Sequence, residues 1–198
     1  WRKVRRDEPM PPQAVLVVTN PALAQTRARE GIAAWLAHVE TADAIYPYSA
    51  DLAAYLFQWY YMLAEKARDA QEKKNFVLAC ENWAEKSVER SPEQFIFHEC
   101  LAKALWLRGT VESGPRQLEC YRKGLEEYRR TAVLYPIEPF VWRNYREALQ
   151  RLGRAFAQAG DTETAQSMLA EAKSVTERIE KLEKQRQALA RPKRGKQK

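Results

Sequence analysis

The side chains that could carry chemistry are few, and their spacing keeps them apart. The chain has two histidines, His38 and His98. His98 stands beside Glu99 and Cys100, but neighbouring residues on a helix point about 100° apart, so the three cannot converge on one metal ion or substrate. The sequence contains no HExxH, GxSxG, P-loop or GxGxxG pattern. It therefore predicts a protein that is not an enzyme, with no catalytic residue, no cofactor and no metal site.

The three cysteines, Cys80, Cys100 and Cys120, lead to the same expectation. An odd number of cysteines without a CxxC pair argues against a disulfide framework and against a zinc site. All three fall within predicted helices. We interpret them as small apolar residues that pack inside the fold.

The net charge of +7 is carried by the two ends of the sequence. Residues 191–198 contribute +5 and residues 1–8 contribute +2, which leaves the residues between them neutral. A nucleic-acid-binding domain usually has its positive charge on the folded face that meets phosphate. The distribution argues against such a domain, although nucleic-acid association through the basic tails stays an alternative. We predict that residues 191–198 form a disordered basic tail.

The composition predicts an all-α protein. Ala, Leu, Glu, Arg, Lys and Gln dominate, and these residues favour helix. Prolines within residues 1–19 predict an extended lead-in rather than a helix. The following residues show helical periodicity, and in the third helix Phe76, Leu78 and Trp83 are expected to face the core. The predicted helices cover about 20–46, 49–70, 72–90, 92–108, 115–134, 138–159 and 162–190.

Self-similarity at a fixed period is the most informative feature of the sequence. Three helix pairs are separated by Pro47, Pro92 and Pro136, which lie 45 and 44 residues apart. Counting forward from each proline gives the same type of residue at the same offset. The shared positions are a small residue at offset 17 (Ala64, Gly109, Gly153) and large apolar residues at offsets 13 (Tyr60, Leu105, Leu149), 9 (Leu56, Leu101, Tyr145) and 5 (Leu52, Phe97, Val141).

The last unit resembles the tetratricopeptide repeat (TPR) signature in residue type, order and spacing. The matching residues are Leu149, Leu152, Gly153, Phe156, Ala165, Leu169 and Ala172. The other two units match less completely, and all are lengthened relative to the family's 34-residue repeat. The resemblance implies an all-α, right-handed α-solenoid of antiparallel helix pairs, with about seven helices over residues 20–190.

In the TPR family the first helix of each pair lines a concave face that holds a peptide. The resemblance therefore implies a non-catalytic scaffold module that binds another protein or a peptide segment. Tyr61, Trp106 and Arg154 are the strongest candidates, since aromatic and Arg side chains dominate interface energies. The two aromatic rings could instead only pack against a neighbouring helix. The complete set of groove candidates is Ala54, Gln58, Tyr61, Glu65, Glu99, Lys103, Trp106, Arg143, Glu147, Gln150 and Arg154.

The last predicted helix, residues 162–190, has an apolar seam at heptad spacing. One interpretation is a long C-terminal helix that caps the solenoid. The alternative is a helix that forms a homodimer. The seam residues are Met168, Ala172, Val175, Ile179, Leu182 and Leu189.

The start of the sequence leaves a second function open. Trp1 followed by the basic residues 2–6 resembles the flank of a preceding membrane helix, although an ordinary linker explains it as well. We expect a module of a longer protein, and one alternative is an extramembrane accessory domain of a bacterial membrane-bound polysaccharide polymerase or ligase. That alternative predicts a bacterial soluble domain tethered to the inner membrane. A helical bundle that binds lipid or a small ligand is a further alternative.

Overall fold

The computed structural model describes residues 21–190, which form seven α-helices and no strand. The predicted lead-in of residues 1–19 and the predicted basic tail of residues 191–198 lie outside the described residues. None of the described helices combines the length and the hydropathy needed to cross a membrane. The helices are α1 (Pro21–Ile45), α2 (Ala50–Lys66), α3 (Ala70–Arg90), α4 (Phe95–Gly109), α5 (Gly114–Leu134), α6 (Pro139–Gln158) and α7 (Thr162–Ala190).

Side-chain caps mark the starts of α2 and α3. Ser49 Oγ accepts a hydrogen bond from the Leu52 amide, and Asp69 Oδ1 accepts one from the Glu72 amide at 2.7 Å. Each cap satisfies an amide that has no partner within the helix. The sequence predicts that the second helix reaches about residue 70, but α2 ends at Lys66, since Asp69 caps the start of α3.

The helices stack in chain order as antiparallel pairs. The closest packing joins α2 to α3, α4 to α5 and α6 to α7, and contacts of α3 with α4 and of α5 with α6 connect one pair to the next. Helix α1 packs on α2, and the first helices of the first two pairs, α2 and α4, also touch. The fold is therefore an all-α, TPR-like solenoid, as the repeat predicts.

The hydrophobic core follows the same order. One cluster joins α1 through α4 around Trp35, Leu56, Trp83 and Leu105. Two further clusters join the last two pairs and include the predicted repeat residues Tyr145, Leu149, Leu152, Phe156, Ala165 and Ala172.

Helix α7 is the second helix of the last pair and forms the end of the stack. Ala172, Val175 and Ile179 are buried in the cluster that α7 forms with Tyr145 and Leu149 of α6, so the predicted seam packs within the chain. The seam ends before Leu189, which is 87% exposed. Most other α7 side chains are polar and exposed, as a terminal element that faces water requires.

The small residues predicted at the repeat positions allow close helix packing to different degrees. Ala64, Gly109 and Gly153 are all buried. A Cβ at Gly109 would lie 2.2 Å from a ring carbon of Tyr121, whereas the nearest atoms to a Cβ at Gly153 are 3.4 Å away. Gly124, which the repeat does not predict, also has too little space for a side chain. Its Cβ would lie 2.7 Å from Trp106 Cδ1 and 3.2 Å from the Ala102 carbonyl oxygen.

These distances predict opposite effects for two matched substitutions. Gly153→Ala fits the available space, and we expect it to raise the free energy of unfolding by about 0.5–1 kcal/mol through helix propensity. Gly124→Ala pushes against the Trp106 ring and a backbone carbonyl, and we expect a loss of about 1–3 kcal/mol. Urea unfolding of both variants measures the difference. Equal stabilities for the two variants would contradict the described packing of Trp106 on Gly124.

His98 has a structural role that recurs in the next repeat. The Trp142 Nε1–H donates a hydrogen bond to the Pro136 carbonyl oxygen at 2.9 Å, and His98 Nε2 lies 2.7 Å from the Pro92 carbonyl oxygen. Each ring stands six residues after the proline of its repeat. Both rings therefore satisfy the carbonyl of the turn that precedes their helix.

Candidate binding face

The first helices of the three pairs, α2, α4 and α6, form the leading face of the stack. Helices α2 and α4 are in contact, and the Asn144 Nδ2 group of α6 donates a hydrogen bond to Glu99 Oε1 of α4 at 3.3 Å. Polar and aromatic side chains from three successive repeats therefore lie along one side of the molecule.

A small pocket of about 60 Å³ lies where α4, α5 and α6 meet. Its volume has room for a few water molecules or for the end of one side chain. It is far smaller than the 300–1,000 Å³ of an ordinary small-molecule site. The lining residues are Trp106, Tyr128, Asn144, Glu147, Ala148 and Arg151.

The charge beside this pocket is largely balanced within the chain. The Glu99 side chain is 8% exposed, and Glu99 Oε1 lies 2.7 Å from the ammonium of Lys103. The amide of Asn144 approaches the same oxygen. Because its charge is already compensated, Glu99 fixes the position of α4 relative to α6 and offers little attraction to a partner.

Two tyrosines provide hydroxyl donors near this face. Burial raises the pKa of Tyr128, and the nearby carboxylate of Glu99 raises it further. Burial also raises the pKa of Tyr61, helped by the Glu65 carboxylate and opposed by Arg151. Both phenols therefore stay protonated at neutral pH and can donate hydrogen bonds.

The predicted groove residues differ widely in their exposure. Ala54 and Glu99 are less than a tenth exposed, so they leave too little surface for a partner to touch. Arg143 is exposed, but its guanidinium lies 3.0 Å from Glu183 Oε1 on α7. The remaining candidates comprise the half-buried Tyr61, Trp106 and Gln150 and the exposed Gln58, Glu65, Lys103, Glu147 and Arg154.

The two aromatic candidates also pack within the fold. The Trp106 ring stacks on Tyr121 with centroids 4.6 Å apart, and its buried Nε1–H has no hydrogen-bond partner among the described residues. Tyr61 packs against the α1–α4 core, and its ring centroid lies 5.8 Å from that of Phe57. Trp106 still lines the pocket, so it belongs to both the core and the leading face.

The sequence does not predict four residues of the pocket, which are Tyr128, Asn144, Ala148 and Arg151. Asn144 and Arg151 lie three residues before and four residues after Glu147, so these side chains share one face of α6. That spacing could have identified them. Tyr128 lies on α5, the second helix of its pair, whereas the sequence predicts a groove lined by first helices only.

A larger groove of about 750 Å³ lies on another side of the stack, between α5, α6 and α7. Trp142 and Tyr145 of α6 line it, together with Val133 of α5. The Arg178 guanidinium lies 4.0 Å from the centre of the Trp142 ring, and Tyr145 OH donates to Glu171 Oε1 at 2.5 Å. The groove is therefore amphipathic, with aromatic rings flanked by charged side chains.

Comparison with known proteins gives a structural likeness alone. No family model matches the sequence, and no curated protein matches it. A solved structure described as MamA MSR-1 C2 is similar to this chain. The two share 18% sequence identity with a TM-score of 0.41, over 83% of this chain and 73% of that one.

The described residues include two buried free thiols, Cys80 and Cys100. No three His, Cys, Asp or Glu side chains within residues 21–190 are grouped so that they could hold a metal ion. Burial raises the pKa of Cys100 to about 12 and also raises that of Cys80. Both thiols are therefore protonated at neutral pH and are poor nucleophiles.

Proposed function

We propose that this chain is a non-catalytic scaffold module that binds a polypeptide segment along its leading face. The observation that carries the proposal is the convergence of α4, α5 and α6 on a pocket sized for one side chain. An extended or helical peptide on this face would place one residue in that pocket and contact the exposed side chains of α2 and α6.

The chemistry of the face suits a polypeptide better than a metabolite. Arg151 and Arg154 provide cations, Glu65 and Glu147 provide carboxylates, and all four side chains are exposed. Exposed charges of both signs select a partner and its register more than they add affinity. We expect modest affinity, on the order of micromolar, or roughly −8 kcal/mol.

Arg151→Glu is the substitution that tests this face. Arg151 is exposed and lines the pocket, so reversing its charge should leave the fold intact and disturb the contact with a partner. We expect the affinity for a peptide selected from a random library on the full chain to fall at least roughly tenfold, or about 1.4 kcal/mol. Isothermal titration calorimetry measures the affinity of each variant for the peptide.

Arg116→Glu is the matched control, because Arg116 is exposed at the start of α5 and away from the pocket. It should change the affinity less than twofold. Trp106→Ala is less suitable, since loss of the ring also removes the stacking on Tyr121. Val133→Glu tests the larger groove between α5, α6 and α7, which Val133 lines. A peptide that loses affinity with Val133→Glu, and keeps it with Arg151→Glu, would overturn the proposal.

A further inference from the structure

The pocket between α4, α5 and α6 is bordered by two opposite charges that do not pair with each other. Glu147 and Arg151 lie four residues apart on α6, a spacing at which a carboxylate and a guanidinium often form an ion pair. Within residues 21–190, neither side chain has an ion-pair or hydrogen-bond partner. A free anion and a free cation therefore stand at the rim of one small cavity.

Two neutral polar groups add to this lining. Asn144 directs its NH2 group to Glu99, because a carboxylate only accepts hydrogen bonds, and this leaves the Asn144 side-chain oxygen as an acceptor. Burial raises the pKa of Tyr128, and the carboxylates of Glu99 and Glu147 raise it further, so the hydroxyl stays protonated and can donate. The lining thus has two donors, Tyr128 and Arg151, and two acceptors, Asn144 and Glu147.

The rest of the lining limits the size of what can enter. Trp106 and Ala148 complete the pocket, and Ala148 is buried on α6. The volume of about 60 Å³ leaves room for the end of one side chain. A group that fills the pocket must therefore be compact and must both donate and accept hydrogen bonds.

We propose that this pocket binds the side-chain carboxamide of an Asn or Gln residue in the partner polypeptide, an inference that rests on the proposed function. A carboxamide has an oxygen that accepts and an NH2 group that donates, so it matches both kinds of lining group without adding a net charge. A carboxylate in the same place would face Glu147, and an ammonium or guanidinium group would face Arg151. An aliphatic side chain would displace water and leave the lining groups without partners.

Peptides selected from a random library on the full chain test the proposal. We expect the peptides that lose affinity with Arg151→Glu to share an Asn or Gln at one position. Replacing that peptide residue by the corresponding acid keeps its shape but brings a carboxylate beside Glu147, and replacing it by Ala removes the hydrogen bonds. Each replacement should weaken binding at least roughly tenfold, as measured by isothermal titration calorimetry.

Glu147→Gln is the variant that separates this specificity from general binding to the face. Without the Glu147 carboxylate, the loss caused by the acidic peptide should shrink to less than about threefold, whereas the loss caused by the Ala peptide should remain. Glu163→Gln is the matched control, because it removes an exposed carboxylate at the start of α7, outside the pocket. It should leave both losses unchanged, and circular dichroism verifies that the variants are folded.

The possible results distinguish this inference from the proposed function. Peptides that depend on Arg151 but tolerate both replacements within twofold would overturn the carboxamide assignment and leave the proposed function intact. An equal loss with the acidic peptide in wild type and in Glu147→Gln would also overturn it. If no peptide is selected, or if the peptides bind only the larger groove, the proposed function and this inference both fail.

Discussion

Arg90→Met is expected to lower the free energy of unfolding by about 3 kcal/mol, because it leaves a buried carboxylate without a partner. Arg90 forms a two-point ion pair with Asp43 of α1, and its Nη2 lies 3.0 Å from Asp43 Oδ2. The same guanidinium donates to the Ser49 carbonyl oxygen. The side chains of Arg90 and Asp43 are only 11% and 8% exposed. One residue thus holds the end of α3 against α1 and the turn before α2.

Arg143→Met provides the matched control for this prediction. Arg143 pairs with Glu183 at 3.0 Å, but these side chains are 47% and 44% exposed, so the pair should contribute less than about 1 kcal/mol. Urea unfolding monitored by circular dichroism compares the two. Adding Asp43→Asn to Arg90→Met should recover part of the loss, because it removes the uncompensated charge. A loss no larger than that of Arg143→Met would contradict the structural role assigned to Arg90.

The order of the helices was predictable from sequence, because the prolines mark where each pair must turn. Helical periodicity was less successful in predicting which residues of a helix are buried. The sequence places Leu78 in the core of α3 on helical periodicity, but Leu78 is 41% exposed. The buried residues of this helix are Val77, Cys80, Trp83, Ala84 and Ser87, so the prediction is confirmed for Trp83 and wrong for Leu78. Neighbouring helices decide which stripe is buried, and a single helix sequence does not contain that information.

The start of α4 is a second feature that the sequence predicts incorrectly. The sequence places it near Pro92, because proline is common in the first turn of a helix. Residues 91–94 instead form a turn in which the Gln94 amide donates to the Ser91 carbonyl oxygen at 3.3 Å, and α4 begins at Phe95. The Pro92 carbonyl oxygen accepts from the His98 ring, a contact that depends on a side chain one turn into the helix.

The sequence could not predict the polar contacts between residues that are far apart in the chain. Arg90 and Asp43 are 47 residues apart, and Asn144 and Glu99 are 45 residues apart. Neither spacing belongs to a helical pattern, so only the stacking of repeats brings these groups together. The candidate face shares this property, since its pocket combines α4 and α6 with Tyr128 of α5.

The buried pair of His98 and Glu127 should make the stability of the protein depend on pH. His98 Nδ1 lies 2.5 Å from Glu127 Oε2, and His98 Nε2 lies 2.7 Å from the Pro92 carbonyl oxygen. The Pro92 carbonyl oxygen can only accept a hydrogen bond, and a carboxylate opposite Nδ1 also accepts one, so the contacts are both satisfied when both ring nitrogens carry protons. The hydrogen bond to Glu127 raises the pKa of His98 above its usual value, although burial and the nearby Arg130 oppose the shift.

The sign of the effect follows from this raised pKa. Below the unfolded-state pKa of histidine, about 6.5, both states are protonated and the folded state has the full benefit of the pair. As pH rises through the folded-state pKa, that benefit is lost. We therefore expect His98→Gln to lower the free energy of unfolding by about 3 kcal/mol near pH 5.5, and by progressively less at higher pH.

Two variants separate this pair from other titrating groups. Glu127→Gln should remove the same pH-dependent component as His98→Gln, because either change leaves no ion pair. His38→Gln should retain the wild-type pH dependence, since His38 is exposed on α1. Chemical unfolding of all four proteins across the neutral range measures the differences. Wild-type and His98→Gln curves that run parallel over this range would show that His98 does not carry the charge that its two hydrogen bonds require.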